Sequence, residues 1–447
     1  MPSERARETE SVGEDRQSKL VAVIGAGAAG LCTAKSLLAH GHTVQIFETQ
    51  QEIGGTWVLR EPPAESSLYD SLQTNTPKHK TAFPGVPFDE ALPVRVPHAD
   101  VLKYLEEYAL DVRPLIRFGA KVERVRFICP DKWELRVLGE RQSRYFDAVA
   151  VCNGHYSVPY VPSLYAEADA AGRVTHSHDY RRPDMFAGKR VMVVGAAGSA
   201  NDIAPEIATV ARHVIRAHKS YAARTSDAQA APHATPDTPA HLGSRHHRGT
   251  AASAHISEGR DISAANIRYL PEPVAVKATG LVRFAPNVAG RIAEEHVDVI
   301  VLATGYKYRY DFLHGSGLLQ DTGERSVRPL YRHVFHETHP SIAFIGLPFK
   351  VIPWVLFYIQ AEWVARVWAL GSARIGAGSE QPGVLSPLPS TAAMRAHRVH
   401  YEAALSIGEN SHPRYYHVLN SKSPYGDQWA YFLRTNELME CQNFDPV

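Results

Sequence analysis

The sequence predicts an α/β fold built from two dinucleotide-binding, Rossmann-like domains, and three observations carry that expectation. A strand, a glycine loop and a helix follow one another from Val21 to Leu38. The same order recurs from Arg190 to Val210. Two buried apolar runs, Phe146 to Gly154 and Asp298 to Gly305, end on glycine as the ligand-lining strands of open parallel sheets do.

Residues 1–19 are polar and mix Arg with Glu and Asp, without the apolar stretch of a signal peptide. A disordered leader is expected there. Val21-Ala22-Val23-Ile24 then reads as a buried strand, and Gly25, Gly27 and Gly30 follow at G-x-G-x-x-G spacing. Gly25 allows the tight turn, Gly27 the approach of a pyrophosphate, and Gly30 close helix packing. Ala28, Ala29 and Gly30 open the helix, whose unpaired N–H groups and partial positive charge face the phosphates. A second strand, Thr43 to Phe47, leads into Glu48, placed eighteen residues past Gly30 to accept from a ribose diol. Gln50 and the turn Gly54-Gly55-Thr56-Trp57 are assigned to the same ligand, the glycine pair letting backbone come close. A polar loop follows, Ser71 to Lys78, with Thr74, Asn75 and Thr76 at its centre. Residues Ala99 to Leu110 have helical spacing, and strands are expected around Arg113–Arg126 and Trp133–Leu138.

The second nucleotide pattern is Val191-Met192-Val193-Val194-Gly195-Ala196-Ala197-Gly198-Ser199-Ala200. Ala197 and Ala200 stand where the first copy has glycine, and Pro205 lies inside the expected helix, where it should bend it. Counting 23 residues from Gly25 reaches Glu48; the same count from Gly195 reaches His218, followed by Lys219 and Ser220. A carboxylate suits a ribose diol, whereas Lys219 and Ser220 suit a 2′-phosphate. The first fold is therefore assigned FAD and the second NADP.

Residues 221–262 are rich in Ala, Thr, Pro, Ser and His, and read as a low-complexity surface insertion. Their five histidines show no repeating ligand spacing, so no metal site is expected. Strand-like runs follow at Pro273–Thr279 and Leu281–Ala285, then at Ser341–Gly346, with a closing amphipathic helix at Gln360–Leu370. The formal net charge of +1 argues against nucleic acid or an anionic membrane as partner. Val351 to Ile359 is too short to span a bilayer. Four scattered cysteines fit a reducing compartment, and a cytoplasmic protein is expected. A homodimer is compatible with the sequence.

Taken together, these stretches resemble the class B flavin-containing monooxygenases over nearly the whole chain beyond residue 19. Gly172-x-x-x-His176-x-x-x-Tyr180, Leu302-Ala303-Thr304-Gly305-Tyr306 and Phe344-Ile345-Gly346-Leu347-Pro348 complete the match. The resemblance implies an FAD domain (20–183 and 298–447) interrupted by an NADP domain (184–297), with Thr304 and Gly305 among the cofactor residues. It also implies that NADPH reduces the flavin, that O2 gives a C4a-hydroperoxyflavin, and that a soft nucleophile, sulfide sulfur or amine nitrogen, takes the distal oxygen. Asn75 is then the catalytic residue, its amide able to donate and accept beside flavin and nicotinamide. The family fingerprint ends in Tyr for heteroatom oxidisers and typically in Trp for Baeyer–Villiger enzymes; here it ends in Tyr180, although Ala170 replaces its leading Phe. The late motifs look closest to plant and fungal S-oxygenating members. A Baeyer–Villiger or amine N-hydroxylating monooxygenase, or a catalytically silent flavoprotein, remain open. A disulfide reductase is disfavoured because Cys32 has no neighbouring cysteine in sequence.

Overall fold

Leu20–Ile24 is buried at four of its five positions, the pattern of a central parallel strand covered on both faces. Alternate residues divide between two cores. Val21 and Val23 pack with the helices, among them Leu31, Leu37, Trp363 and Val367. Ala22 and Ile24 pack on the other face with Trp133, Leu135 and Phe146. The computed structural model describes residues 18–62, 66–128, 131–218, 266–287, 290–320, 326–370, 388–406 and 416–419, together with 430, 431 and 435. Most of the leader, Lys219, Ser220 and the 221–262 insertion lie outside the described residues.

The chain forms two compact units, one from residues 1–159 and 306–447, the other from 160–305. In the larger unit a seven-stranded sheet runs Leu330–Tyr331, Phe335–His336, Ile342–Phe344, Ala148–Val151, Leu20–Ile24, Thr43–Phe47, Ile116–Arg117. From Ile342–Phe344 onward the pairs are parallel. Helix Ala28–Ala39 packs on it beside helix Pro353–Ala369, and an antiparallel sheet of Val122–Ile128, Lys132–Val137 and Arg144–Phe146 adds a second layer.

The smaller unit repeats the plan. Its parallel five-stranded sheet runs Ile267–Leu270, His213–Ala217, Arg190–Val194, Val299–Leu302, Val174–His176. Helix Gly198–Ala208 follows the second glycine loop and continues through Pro205. A three-stranded antiparallel sheet, Pro273–Val276, Leu281–Phe284 and Glu294–His296, completes it.

Two expectations change. Val174–His176 and Val299–Leu302 belong to the smaller unit's sheet, so the insertion spans 160–305 and is wider than 184–297. Burial alone cannot say which sheet a strand joins; here Arg190–Val194 needs a hydrogen-bonded neighbour on each side, and Val299–Leu302 supplies one. The late helix begins at Pro353 rather than Gln360. Its first seven residues, Pro353 to Ile359, are all apolar or aromatic, so they offer no polar face to mark helical periodicity and read as a plain apolar run.

Each central strand is clamped at its start by an aspartate from the neighbouring strand. Leu20 N donates to Asp147 Oδ2 at 2.8 Å and Asp147 N donates back to Leu20 O at 2.8 Å. In the smaller unit Arg190 N donates to Asp298 Oδ2 and Asp298 N to Arg190 O, both at 2.8 Å. Arg190 adds Nη2 to Asp298 Oδ1 at 2.8 Å. The Arg190 side-chain and backbone hydrogen bonds hold the Asp298 carboxyl down to about 2. A depressed carboxyl contributes stability that is present above its unfolded value of roughly 4 and is lost as pH falls toward its folded value. Asp298→Asn should therefore lower the unfolding midpoint at pH 7. Its gap from the parent should narrow as pH drops from about 4 toward about 2, as acid titration followed by circular dichroism would show.

Candidate functional site

The first glycine loop is shaped by contacts that leave no room for side chains. Gly25 sits at φ +105°, and a Cβ there would lie 2.6 Å from Cys152 O. At Gly30 it would lie 1.9 Å from Gly25 O. Gly27 is the N-cap of helix Ala28–Ala39 with φ −78° and ψ −177°, and no side chain caps it. The first-turn amides of Ala28, Ala29 and Gly30 thus have no side-chain acceptor and suit an anion. The Gly54-Gly55-Thr56-Trp57 turn closes onto this loop: Gly54 N donates to Ala26 O at 3.2 Å, and a Cβ on Gly55 would meet Gly27 Cα at 3.0 Å. Backbone meets backbone there, which is what the glycine pair is for.

Glu48 is buried at 8% exposure at the end of its strand. Its carboxylate accepts Ala26 N at 2.7 Å and Gln50 N at 2.8 Å, one bond to each oxygen. Burial raises its pKa, while the Gln50 and Ala26 amides oppose that shift. Each oxygen keeps acceptor capacity for a diol. Gln50 takes part through its backbone, its carbonyl accepting Gly119 N at 3.0 Å.

The polar loop resolves into supports and one presented group. Thr74 Oγ1 donates to Thr76 O at 2.8 Å and accepts Val96 N at 3.0 Å. Thr76 Oγ1 pairs with Thr81 Oγ1 at 2.7 Å. Lys78 Nζ donates to three carbonyls, those of Asp89, Glu90 and Leu92, at 3.0, 2.7 and 2.8 Å. Asn75 lies exposed at the bend between them, its amide bonded to no described residue. Thr74 and Thr76, assigned to the cofactor from sequence, have side chains engaged in the loop itself.

Trp354, which the sequence reading did not single out, joins these segments. Its ring meets Trp57 edge-on at 6.4 Å and stacks on Phe83 at 4.8 Å. The Gly-Gly-Thr-Trp turn and the segment after Asn75 therefore rest on one side chain in the first turn of helix Pro353–Ala369. Gln360, farther along that helix and fully buried, accepts Gly346 N at 2.9 Å and donates to Tyr431 Oη at 3.0 Å. Both described cysteines, Cys32 and Cys152, are free and share one core. Burial pushes the Cys152 thiol up to about 12 and raises Cys32 also, so neither is a thiolate at neutral pH.

The second loop repeats the first with substitutions. Gly195 has φ +140°, and a Cβ there would lie 2.5 Å from Ala303 O, as Gly25 lies against Cys152 O. Ala197 is the N-cap of helix Gly198–Ala208, at φ −98° and ψ −177°. That conformation matches Gly27 and is open to any residue, so the alanine carries no backbone strain. Gly198 is exposed and Ser199 half-buried, and no side chain caps the helix. Thr304 Oγ1 donates to Tyr160 O, and Gly305 O accepts Tyr160 N at 2.9 Å. Both residues end a strand of the smaller unit, in the position that Asn153 and Gly154 hold in the larger one.

The fingerprint residues are structural in this arrangement. Tyr180 is buried, and its hydroxyl donates to Glu206 Oε2 at 2.7 Å, tying its segment to the second loop's helix. Burial, with His178 adding to it, holds the His176 ring down to about 4. Ala170 is exposed at the end of helix Ala166–Ala170, so the missing Phe leaves no hole there. Among the described residues no group of His, Cys, Asp and Glu could hold a metal ion, and no helix is long and apolar enough to cross a membrane.

A family model described as flavin-binding monooxygenase-like matches residues 18–226. Flavin-containing monooxygenase FMO GS-OX3 of Arabidopsis thaliana is 33% identical over 376 residues, 78% of this chain and 73% of the relative. FMO GS-OX-like 6 of the same plant is 34% identical over 392 residues, 81% of this chain and 74% of the relative. The solved S-allyl-L-cysteine S-oxygenase of Allium sativum superposes with a TM-score of 0.75 at 30% identity, covering 97% of this chain and 91% of that one. Glycine loops on two parallel sheets, and relatives 33–34% identical over about four fifths of the chain, lead to one conclusion: this chain belongs to the flavin-containing monooxygenases and is an oxidoreductase.

Proposed function

We propose that this protein is an NADPH- and O2-dependent S-oxygenase acting on a small thioether, with FAD on the first glycine loop and NADP on the second. The observation that carries this reading is the likeness, over 97% of the chain, to a protein described as an S-oxygenase. When bound, the flavin passes two electrons from NADPH to O2, so that one oxygen atom goes to the sulfide and the other to water.

The chain's own residues do the rest. The first-turn amides of Ala28, Ala29 and Gly30 hold the FAD diphosphate, and Glu48 accepts from its ribose. Gly54 and Gly55 let the next turn close over the same loop. Lys78, Thr74 and Thr76 fix the bend that presents Asn75, whose amide orients the reacting oxygen and keeps stray protons from it. Gly195, Gly198, Ser199 and the extended Ala197 give the NADP diphosphate a second set of amides. Lys219 and Ser220 are proposed for its 2′-phosphate.

A panel of a thioether, a tertiary amine and a cyclic ketone tests the assignment, with NADPH oxidation and products measured together. Sulfoxide from the thioether at the highest kcat/KM is expected; faster N-oxide or lactone formation would overturn it. Glu48→Gln leaves one amide oxygen where two carboxylate oxygens now accept. A charge-assisted hydrogen bond contributes about 1.5–3 kcal/mol, so FAD should bind about ten- to a hundredfold more weakly, read by flavin release on dilution. Asn75 is exposed and unbonded, so Asn75→Ala should keep its FAD and its melting temperature. Hydrogen peroxide formed per NADPH should rise and sulfoxide fall by about tenfold; unchanged coupling would remove Asn75 from the chemistry.

A further inference from the structure

The two nucleotide folds of this chain superimpose on one count. Residue 190 corresponds to 20 (190 − 20 = 170), and the same offset carries Gly25 to Gly195, Gly27 to Ala197 and Gly30 to Ala200. Strand pairing confirms the register, since Val23 pairs with Ile46 and Val193 with Arg216. Arg216 is therefore the counterpart of Ile46, which is fully buried. An arginine stands in the second copy where the first has an aliphatic core residue.

Arg216 is itself 5% exposed. Its Nη2 donates to Gly195 O at 3.1 Å and to Asn201 Oδ1 at 3.0 Å, and its Nη1 donates to Ala200 O. Those three oxygens belong to the glycine loop and to the first turn of helix Gly198–Ala208. In the first copy the Gly25 carbonyl crowds Gly30 so closely that a methyl at residue 30 would lie 1.9 Å from it. In the second copy the residue at that place is Ala200, fully buried, and the equivalent Gly195 carbonyl is held by Arg216. Pro205, lacking an N–H, removes the usual helical donor to the Asn201 carbonyl, a group Arg216 does not touch; Arg216 binds the Asn201 side-chain oxygen instead.

The charge is the second feature. All three acceptors are neutral, and no described carboxylate lies within ion-pair distance of the guanidinium. Its Nε is buried without a partner. The charged and titratable groups facing it, Asp202 on the helix and Tyr269 on the adjoining strand, act only at longer range. A buried cation with no ion pair in contact is costly, and an arriving anion offsets part of that cost.

We propose that Arg216 is a positioning residue of the second loop: it substitutes for the third glycine by spacing the loop for the Ala200 methyl, and it supplies positive charge behind the amides that take a dinucleotide diphosphate. This rests on the reading that the second loop holds NADP. The test uses the FAD-loaded full chain, with NADP⁺ titrated calorimetrically and thermal unfolding followed alongside. Arg216→Ile should weaken NADP⁺ roughly tenfold or more and lower the unfolding midpoint. The double variant Arg216→Ile with Ala200→Gly, which recreates the first copy's pairing, should recover the midpoint and keep the weak NADP⁺ affinity. FAD content should be unchanged in both. A double variant that binds NADP⁺ as tightly as the parent, or that is no more stable than Arg216→Ile alone, would overturn the assignment of Arg216 while leaving the NADP site standing. A parent enzyme that binds no NADP⁺ would overturn both.

Discussion

Both nucleotide folds depend on one close approach: the loop leaving each central strand lies against the backbone at the end of the next strand. The virtual Cβ of Gly25 falls 2.6 Å from Cys152 O, and that of Gly195 falls 2.5 Å from Ala303 O. Neither distance admits a side chain, and both glycines have positive φ. Because parallel strands end together, this contact fixes where the following helix starts and hence where its free amides point. The aspartate clamps at Asp147 and Asp298 set the other end of the same strand pairs. The geometry of each anion cradle is thus held at both ends of a pair of strands, with loop side chains contributing little.

How much of this could be read in the chain itself follows from which interactions are local. The strand, glycine loop and helix are encoded within about twenty residues, so both copies were legible, and so was Glu48 by its distance from the loop. Sheet membership is not local. The runs around Thr175 and Ile300 look equally buried whichever sheet they join, and only the pairing with Arg190–Val194 places them. The start of helix Pro353–Ala369 is hidden for another reason, since Pro353 to Ile359 carry no polar residue that would mark a face. Lys219, Ser220 and the 221–262 insertion lie outside the described residues, so the cation and hydroxyl expected at the end of His213–Ala217 stay a reading of sequence.

Arg216 and Trp354 show a different gap. An arginine inside a strand reads by default as a solvent-facing residue, and a tryptophan in an apolar run reads as core. Their roles emerge only when a second segment is laid beside the first: Ala200 beside Gly30 for the arginine, Trp57 beside Phe83 for the tryptophan. Comparing the two internal copies position by position would have exposed the first. Ala200 stands where the first copy has Gly30 and Arg216 where it has Ile46, and Arg216 binds the Ala200 carbonyl; such paired differences are visible in one sequence when it contains its own repeat.

The loop around Asn75 follows the same logic of support and presentation. A short polar side chain at a bend normally turns back to bond its own backbone, which would occupy the amide. Here Thr74, Thr76 and Lys78 take up the Thr76, Asp89, Glu90 and Leu92 carbonyls, the Val96 amide and the Thr81 hydroxyl, while Asn75 stays exposed between them. Lys78 ties this loop to the next segment, its three donors gathering the carbonyls of Asp89, Glu90 and Leu92. An amide kept free in this way can meet a ligand without first breaking a protein hydrogen bond. On the proposed role of Asn75, that preorganisation, more than the identity of any one threonine, is what the polar loop would contribute to the chemistry.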